Sequence, residues 1–261
     1  MTDHIRFDDG ARYERFMGTW SQHAGEAFLE WLAPEPGLRW LDVGCGNGAF
    51  TELLAERCAP ATVHGIDPSE AQLAYARTRP VARIAEFSQG DAMALPFPGD
   101  AFDVAVMPLV IFFVPVPARG VAEMARVVRP GGVAAAYAWD MEGGGFPYET
   151  LHAEMRDMDI TLPVAPSADA SRVDSMLELW AGAGLVDAET RQISVRRTFA
   201  DFDDYWETIL GGPSVRAGLA TMAPGELELL RTRMRARLAP DADGRITLSA
   251  TANAIKGRVP G

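Results

Sequence analysis

The stretch that most constrains the fold of this chain is Leu41–Gly48, which reads Leu-Asp-Val-Gly-Cys-Gly-Asn-Gly. It follows a short apolar run and precedes an amphipathic segment, Ala49–Arg57, so it predicts a buried strand that turns directly into a helix. Glycine allows a tight turn and leaves room for a ligand to approach the backbone. Three glycines at alternate positions exceed what a plain turn needs, and we therefore predict a cofactor-binding loop.

The same alternation of apolar runs and helical stretches continues from Arg39 to Tyr137, as in a parallel sheet with crossover helices. Pro130-Gly131-Gly132 is expected to separate the last of these helices from its strand. The predicted strands of this region are Trp40–Val43, Val63–Asp67, Ile84–Ser88, Phe102–Met107 and Val133–Ala138, and the predicted helices are Ala49–Arg57, Glu70–Arg77 and Arg119–Val128.

The flanking segments predict additions to this sheet. Arg12–Leu32 repeats aromatic and apolar residues at helical spacing and is expected to cover the ligand edge of the sheet. Glycine- and proline-rich stretches after Asp140 predict a helical cap, and Val186–Arg197 and Arg245–Ile255 alternate as two late strands. We therefore divide the chain into a lid at residues 1–36, a core at 37–140, a cap at 141–184, and a completion of the sheet at 185–261 with substrate-side helices at 200–240.

Two further strand ends indicate which cofactor binds. Gly48 comes one residue too early for the G-x-G-x-x-G spacing of dinucleotide sites, which argues against NAD. Asp67, at the end of the second strand, is placed to accept hydrogen bonds from ribose hydroxyls. It has an alternative role as a helix N-cap, although Ser69 serves equally well there. Asp91, in Gly90-Asp91-Ala92, adds a carboxylate for the adenine amino group.

Together with Leu95-Pro96-Phe97 and Arg129-Pro130-Gly131-Gly132, these motifs make the chain resemble class I S-adenosylmethionine-dependent methyltransferases of the ubiquinone/menaquinone-methyltransferase-like, type 11 group. The resemblance spans roughly residues 13–139. It implies an α/β, Rossmann-like sheet of seven strands with the last one antiparallel, an N-terminal helical lid and a helical insertion after strand five. It also implies that the three glycines surround the amino-acid half of the cofactor, S-adenosylmethionine.

The resemblance also implies the contacts at the two ligands. The expected cofactor-binding residues are Tyr13, Met17, Trp20, Asp42, Gly44, Cys45, Gly46, Gly48, Asp67, Pro68, Gln72, Gly90, Asp91, Ala92, Pro108 and Leu109. The expected acceptor-binding residues are Phe112, Phe113, Trp139, Tyr148, Tyr205 and Trp206, although the last three lie on amphipathic helices, where aromatic residues are usually core. Relatives often carry a polar residue and a histidine after strand four. Here that segment is Met107–Phe113, so the acceptor side is apolar, although Phe112 and Phe113 fit a core role equally well.

Methyl transfer from a sulfonium is an in-line displacement, so the enzyme mainly aligns the nucleophile and excludes water. A general base is needed only if the acceptor carries its proton at the working pH. Asp140, directly after strand five, and His152, in the cap, are the candidates. Their alternative roles are a loop-capping aspartate and a packing histidine.

The net charge of the chain limits the kinds of partner that it can be expected to bind. A net charge of -12 opposes nucleic acid and anionic membranes, which need a positive surface field. With two cysteines and no His/Cys cluster at ligand spacing, no metal is expected. The start of the chain lacks an apolar run, so a cytoplasmic protein is expected, acting on a small molecule as a monomer or homodimer.

Three rival functions remain open, the weakest of them methylation of nucleic acid or protein, because Met107–Val110 lacks the Asn/Asp-Pro-Pro-aromatic run of nucleobase enzymes and the acidic charge opposes RNA and DNA. A nicotinamide-dependent oxidoreductase uses a similar sheet, although the glycine spacing and Asp91 disfavour it. A sensor or accessory protein that binds S-adenosylmethionine without turnover is also compatible, because methyl transfer requires no obligatory catalytic side chain.

Overall fold

A seven-stranded mixed sheet organises the protein. The computed structural model describes residues 14–212, 215, 218–220 and 222–261. The strands are β1 (Arg39–Val43), β2 (Thr62–Asp67), β3 (Ala85–Gln89), β4 (Phe102–Pro108), β5 (Val128–Trp139), β6 (Val186–Phe199) and β7 (Ile246–Arg258). Their order is β3-β2-β1-β4-β5-β7-β6, and β7 runs antiparallel to both of its neighbours. The predicted fold class, with its antiparallel last strand, is confirmed.

The helices follow the predicted pattern closely. A π-helical turn at Glu14–Gly18 leads into α1 (Thr19–Leu32). The other α-helices in the described part of the chain are α2 (Ala49–Cys58), α3 (Glu70–Ala76), α4 (Pro117–Val127), α5 (Glu149–Asp157), α6 (Val173–Gly182), α7 (Phe202–Ile209) and α8 (Pro224–Arg237). The division at residues 36, 140 and 184 stays a prediction, and each of these residues lies between two of the elements.

Strand β5 begins earlier than the sequence predicts. Instead of ending the preceding helix region, Pro130-Gly131-Gly132 lies inside the strand, where the pairing with β4 shifts register between Phe102 and Val104. Gly131 has φ +74°, and a Cβ on Gly132 would lie 2.6 Å from the carbonyl oxygen of Asp103. The two glycines thus lie in an irregular stretch inside the strand, which a reading of glycine as a strand breaker misses.

The central strands form a core that is closed on both faces. Trp40, Leu41, Val106 and Met107 are fully buried, as expected for parallel strands covered by helices on both faces. Helix α1 packs against α2, and α4 packs against α6. Burial on both faces leaves the carboxyl edge of the sheet as the place where polar loops meet solvent, and this edge carries the predicted ligand residues.

The cap is fastened to the rest of the molecule by buried polar contacts. Glu154 of α5 is buried and forms ion pairs with two arginines of α8, Arg233 at 3.0 Å, which also donates a hydrogen bond, and Arg237 at 2.6 Å. Ser167 donates its hydroxyl to the carbonyl of Val114 at 2.8 Å, after β4. Because a buried carboxylate is stable only when it is paired, these contacts hold the cap over the carboxyl edge of the sheet.

Candidate functional site

The glycine loop turns sharply at the end of β1. The backbone N–H groups of Gly44 and Cys45 both donate to the carbonyl of Ile66, at 2.7 and 3.0 Å. A Cβ on Gly44 would lie 2.5 Å from Cγ2 of Val110, so this glycine is required by packing. Gly46 has φ +52°, and apart from its chain neighbours no described atom lies within 4 Å of the place of its Cβ. Open space beside a glycine at positive φ is what a ligand approaching the backbone needs.

Asp67 lies beside this loop at the end of β2. Its Oδ2 accepts the N–H of Gly46 at 2.9 Å, and its Oδ1 accepts the N–H of Ser69 at 2.8 Å. Burial raises the pKa of this carboxyl, and the two backbone hydrogen bonds oppose that rise. The N-cap of α3 is Ser69, whose hydroxyl accepts from the N–H of Gln72. Each carboxylate oxygen of Asp67 keeps a second lone pair for a ligand hydroxyl.

Asp42 is a fully buried carboxyl beneath the loop. Its Oδ2 accepts the hydroxyl of Thr51 at 2.6 Å, whereas its Oδ1 has no hydrogen-bond partner among the described residues. Burial raises its pKa to about 7, opposed by the Thr51 hydrogen bond and helped by the charge of Asp67. Burial and the same two carboxylates raise the pKa of the Cys45 thiol, which therefore stays protonated at neutral pH. This corner of the site attracts positive charge.

The predicted adenine side follows at β3. The N–H of Gly90 donates to the carbonyl of Asp67 at 3.1 Å, which joins the ends of β2 and β3. A Cβ on Gly90 would lie 2.3 Å from Cδ1 of Ile66, so packing accounts for this glycine. Asp91 is exposed, and its Oδ1 accepts the N–H of Met93 at 2.8 Å. The structure thus brings the ends of three neighbouring strands together, as the sequence predicts, along with Pro68, Gln72 and Ala92.

A polar cluster fastens the N-terminal turn to the glycine loop. Oε2 of Glu14 accepts from Nδ2 of Asn47 at 3.0 Å and from Nη2 of Arg79 at 2.9 Å. Arg79 also donates to the carbonyl of Asn47 at 2.7 Å and to Glu52 at 2.9 Å. The cluster was not predicted from the sequence, because no local motif links residues 14, 47 and 79. Tyr13, predicted to touch the cofactor, lies outside the described residues.

A cavity of about 550 Å³ adjoins this edge beneath the cap, within the range of small-molecule sites. Its described wall is mainly apolar. The aromatic lining residues are Phe16, Phe112, Phe113, Trp139 and Phe146, joined by Met17, Leu109, Met141 and the irregular segment 159–165. Of the predicted acceptor-binding residues, Phe112, Phe113 and Trp139 therefore line the cavity. Phe146, Met141 and segment 159–165 were not predicted, because the turn and cap positions that hold them carry no periodic signal.

His152 of α5 forms part of the cavity wall. Its ring stacks on Phe146, with centroids 4.9 Å apart, and its Nε2 is shielded from solvent without a hydrogen-bond partner in the described part of the chain. Burial lowers the pKa of this imidazole to about 4. His152 is therefore neutral at physiological pH, able to form a hydrogen bond but weak as a base.

Several other predicted site residues have packing roles in the structure. The hydroxyl of Tyr148 donates to the carbonyl of Phe16 at 2.6 Å and accepts the indole N–H of Trp20 at 3.1 Å. Burial raises the pKa of Tyr148 to about 12. Tyr205 and Trp206 are buried around Phe202 of α7. None of these four predicted aromatic residues, Trp20, Tyr148, Tyr205 and Trp206, is among the described residues of the cavity wall.

Asp140 lies in the turn after β5. Its Oδ1 accepts the N–H of Gly143 at 3.0 Å, and its backbone pairs with Thr251 and Gly145. It is not among the described lining residues of the cavity. This geometry corresponds to the loop-capping role weighed against catalysis, and the proposed catalytic role of Asp140 stays a prediction.

Comparison with known proteins bears on the core. Residues 41–136 match the sequence family described as "Methyltransferase domain". The chain is 34% identical over 156 residues to 2-methyl-6-phytyl-1,4-hydroquinone methyltransferase 2, chloroplastic, of Oryza sativa subsp. japonica, covering 60% of this chain and 41% of that protein. It is 35% identical over 147 residues to 2-phytyl-1,4-naphtoquinone methyltransferase of Synechococcus elongatus, covering 54% of this chain and 61% of that protein.

The solved structures agree on the fold. Phosphoethanolamine N-methyltransferase 2 of Haemonchus contortus, in complex with S-adenosyl-L-methionine, superposes with a TM-score of 0.61 at 20% identity, covering 96% of this chain and 56% of that one. The chain spans about half the length of the curated relatives it matches. In the described part of the chain, no helix is both long and apolar enough to cross a bilayer. The resemblance identified from the motifs is confirmed.

Proposed function

Because the chain carries a methyltransferase domain at residues 41–136 and has the fold of S-adenosylmethionine-dependent methyltransferases, we propose that it transfers the methyl group of S-adenosylmethionine to a small, largely apolar acceptor. The proposal rests on one geometric observation. Two chain segments each contact the glycine loop at one end and line the cavity at the other, so the two ligands would meet along these segments.

The first of these segments is the N-terminal turn. Glu14 binds Asn47 of the glycine loop, and two and three residues later Phe16 and Met17 line the cavity. The second segment follows β4. Val110 touches Gly44, and its neighbours Leu109, Phe112 and Phe113 line the cavity. A group held at the glycine loop therefore lies within one short segment of an acceptor in the cavity, which is the proximity that methyl transfer needs.

The residues present fit S-adenosylmethionine. The cofactor carries positive charge on its sulfonium and ammonium groups, and Asp42, Asp67 and Glu14 supply carboxylates around the loop. The unpartnered Oδ1 of Asp42 fits a cationic group, and the open space at Gly46 fits an approaching chain. Asp67 would hold the ribose hydroxyls, while Asp91 and the amide of Ala92 would hold adenine.

The cofactor supplies an electrophilic methyl group on a positively charged sulfur. The protein's own contribution is to place the acceptor behind that methyl group and to keep water out, which the apolar wall from Phe16 to Phe146 favours. For an acceptor that must lose a proton, Asp140 and His152 are the proposed bases. The lowered pKa of His152 favours a hydrogen-bonding role for it over full proton abstraction.

A ring-bearing acceptor suits this wall. Five of the described lining residues are Phe or Trp, and aromatic faces bind flat rings by stacking and edge contacts. The rice and Synechococcus relatives are named for a hydroquinone and a naphthoquinone acceptor. From the acceptors in these two names we propose for this chain only a ring, and not a phytyl tail.

Calorimetry with S-adenosylhomocysteine and with NADH tests the proposal. We expect one S-adenosylhomocysteine per chain with a Kd below about 100 μM, some 5.5 kcal/mol of binding free energy, and no heat from NADH. Saturating S-adenosylhomocysteine should also raise the melting temperature, because the ligand stabilises the state that binds it. If calorimetry detects no binding of S-adenosylhomocysteine at millimolar concentration but does detect binding of NADH, the proposal is contradicted. Formation of S-adenosylhomocysteine with a ring-bearing acceptor would separate an enzyme from a non-catalytic binder.

A further inference from the structure

The described part of the cavity wall offers no unpaired positive charge to an acceptor. Its charged side chains among the described residues are Glu149, Arg156 and Asp159. Arg156 donates to Glu149, so these two charges offset each other, and Asp159 adds a negative charge where the cap is exposed. An anionic acceptor would lose its hydration and find, among these side chains, only an arginine that is already paired with Glu149, which is costly. We therefore expect the described wall to bind uncharged acceptors in preference to carboxylate- or phosphate-bearing ones.

His152 contributes a neutral polar group to the same wall. A buried nitrogen without a partner costs about 1–3 kcal/mol, so its presence in a folded protein calls for an explanation. A second phenylalanine at this position would stack on Phe146 equally well without that cost. In the structure Nε2 is shielded from solvent, so it must turn about χ2, which is a soft torsion in histidine, to meet a ligand in the cavity.

We propose that His152 is an acceptor-binding residue that hydrogen-bonds the single polar group of an uncharged, flat, otherwise apolar acceptor. This inference rests on the proposed function and adds to it both the charge of the acceptor and the residue that orients it. The ring of the acceptor lies among Phe112, Phe113 and Phe146, and its hydroxyl or carbonyl meets the imidazole. The hydrogen bond fixes which edge of the ring faces the glycine loop, and thereby which position is methylated.

Three probes of one shape isolate these features, namely 2-naphthol, naphthalene and 2-naphthoate, each titrated into the protein saturated with S-adenosylhomocysteine. For the unaltered chain we expect 2-naphthol to bind about twofold to tenfold more tightly than naphthalene, the gain from one neutral hydrogen bond. We expect 2-naphthoate to bind most weakly. His152→Phe should bind the first two probes equally, because it keeps the stacking on Phe146 and removes the nitrogen.

The control is His23→Phe, since the ring of His23 contacts the carbonyl of Arg196 away from the cavity wall. This control should keep the preference for 2-naphthol. Equal preference in His152→Phe and the unaltered chain would overturn the assignment to His152. Tightest binding of 2-naphthoate, or binding of none of the three probes, would overturn the acceptor class.

Two further measurements separate the possible failures. Binding of S-adenosylhomocysteine, measured on the same samples, reports on the proposed function independently of the probes. The melting temperature of His152→Phe reports on folding, and we expect it to equal or exceed that of the unaltered chain, because the variant removes an unsatisfied buried nitrogen. If S-adenosylhomocysteine binds and the probe preference is unmoved, the inference about His152 fails while the proposed function stands.

Discussion

The two halves of the site are built in different ways. The cofactor half consists of backbone turns and carboxylates at the ends of β1, β2 and β3, within 50 residues of sequence. The acceptor half is an apolar cavity assembled from the N-terminal turn, the segment after β4, the end of β5 and the cap. The first half depends on short-range geometry that few residue types satisfy. The second depends on long-range packing, which many apolar residues satisfy, so it is free to vary in shape and to set the acceptor.

Loss of the Asp67 carboxylate should weaken cofactor binding more than any other change proposed here. Asp67→Ala removes a charged acceptor that also orients the N–H of Gly46. We expect the Kd for S-adenosylhomocysteine to rise roughly 30-fold, about 2 kcal/mol for losing charge-assisted hydrogen bonds, as measured by calorimetry. Glu56→Ala, at an exposed position of α2, should leave the Kd within twofold. Unchanged affinity in Asp67→Ala would remove this carboxylate from the cofactor half.

A pair of glycines tests whether the open space at the loop belongs to the ligand. Gly46 and Gly37 both have positive φ, +52° and +78°, and apart from its chain neighbours neither has a described atom within 4 Å of the place of its Cβ. Alanine at either position therefore carries similar backbone strain, about 1–2 kcal/mol of folding stability. Gly46→Ala alone should weaken S-adenosylhomocysteine binding about tenfold, by overpacking the ligand. Equal affinities in the two variants would show that the space at Gly46 is not used.

Titration of Asp42 should make the affinity for S-adenosylhomocysteine depend on pH. Its pKa of about 7 in the free protein means that it is largely protonated below that pH. An ammonium group next to it favours the ionised form, so binding releases a proton and the affinity rises with pH. We expect S-adenosylhomocysteine to bind about fivefold more tightly at pH 7.5 than at pH 5.5. Asp42→Asn should flatten that dependence, and a slope that persists in the variant would assign it to another group.

The smallest effect concerns the link between the N-terminal turn and the loop. Glu14→Gln weakens contacts to Asn47 and Arg79. Because partly exposed ion pairs contribute about 0.2–1 kcal/mol, we expect the dissociation rate of S-adenosylhomocysteine to rise about twofold to fivefold in stopped-flow measurements. Glu207→Gln, which loses an exposed pair with Arg15 on the outer side of the same turn, is the matched control. Equal rates in both variants would mean that the turn does not hold the cofactor.

The difference between the halves also explains what the sequence could predict. All seven strands and the described α-helices follow from apolar periodicity, and the ligand edge follows from Gly44–Gly48 and Asp67, because each signal is local. The irregular stretch of β5 at Gly131 was not predicted, because a glycine pair indicates the end of a strand when the pairing of that strand is unknown. The positions of Phe146 and Met141 in the cavity wall were not predicted, because the neighbours of a residue in an irregular loop are set by the folded structure and not by a sequence pattern. Tyr148 was assigned to the acceptor because the sequence gives no sign of its bonds to Phe16 and Trp20.

A crystal structure of the chain with S-adenosylhomocysteine tests most directly whether the two halves form one reaction site. We predict that the ribose binds to Asp67, that the amino-acid part lies along Gly44–Gly46, and that the sulfur faces the cavity between Met17 and Leu109. A ligand absent from the loop at millimolar concentration, or a sulfur walled off from the cavity by protein, would contradict it.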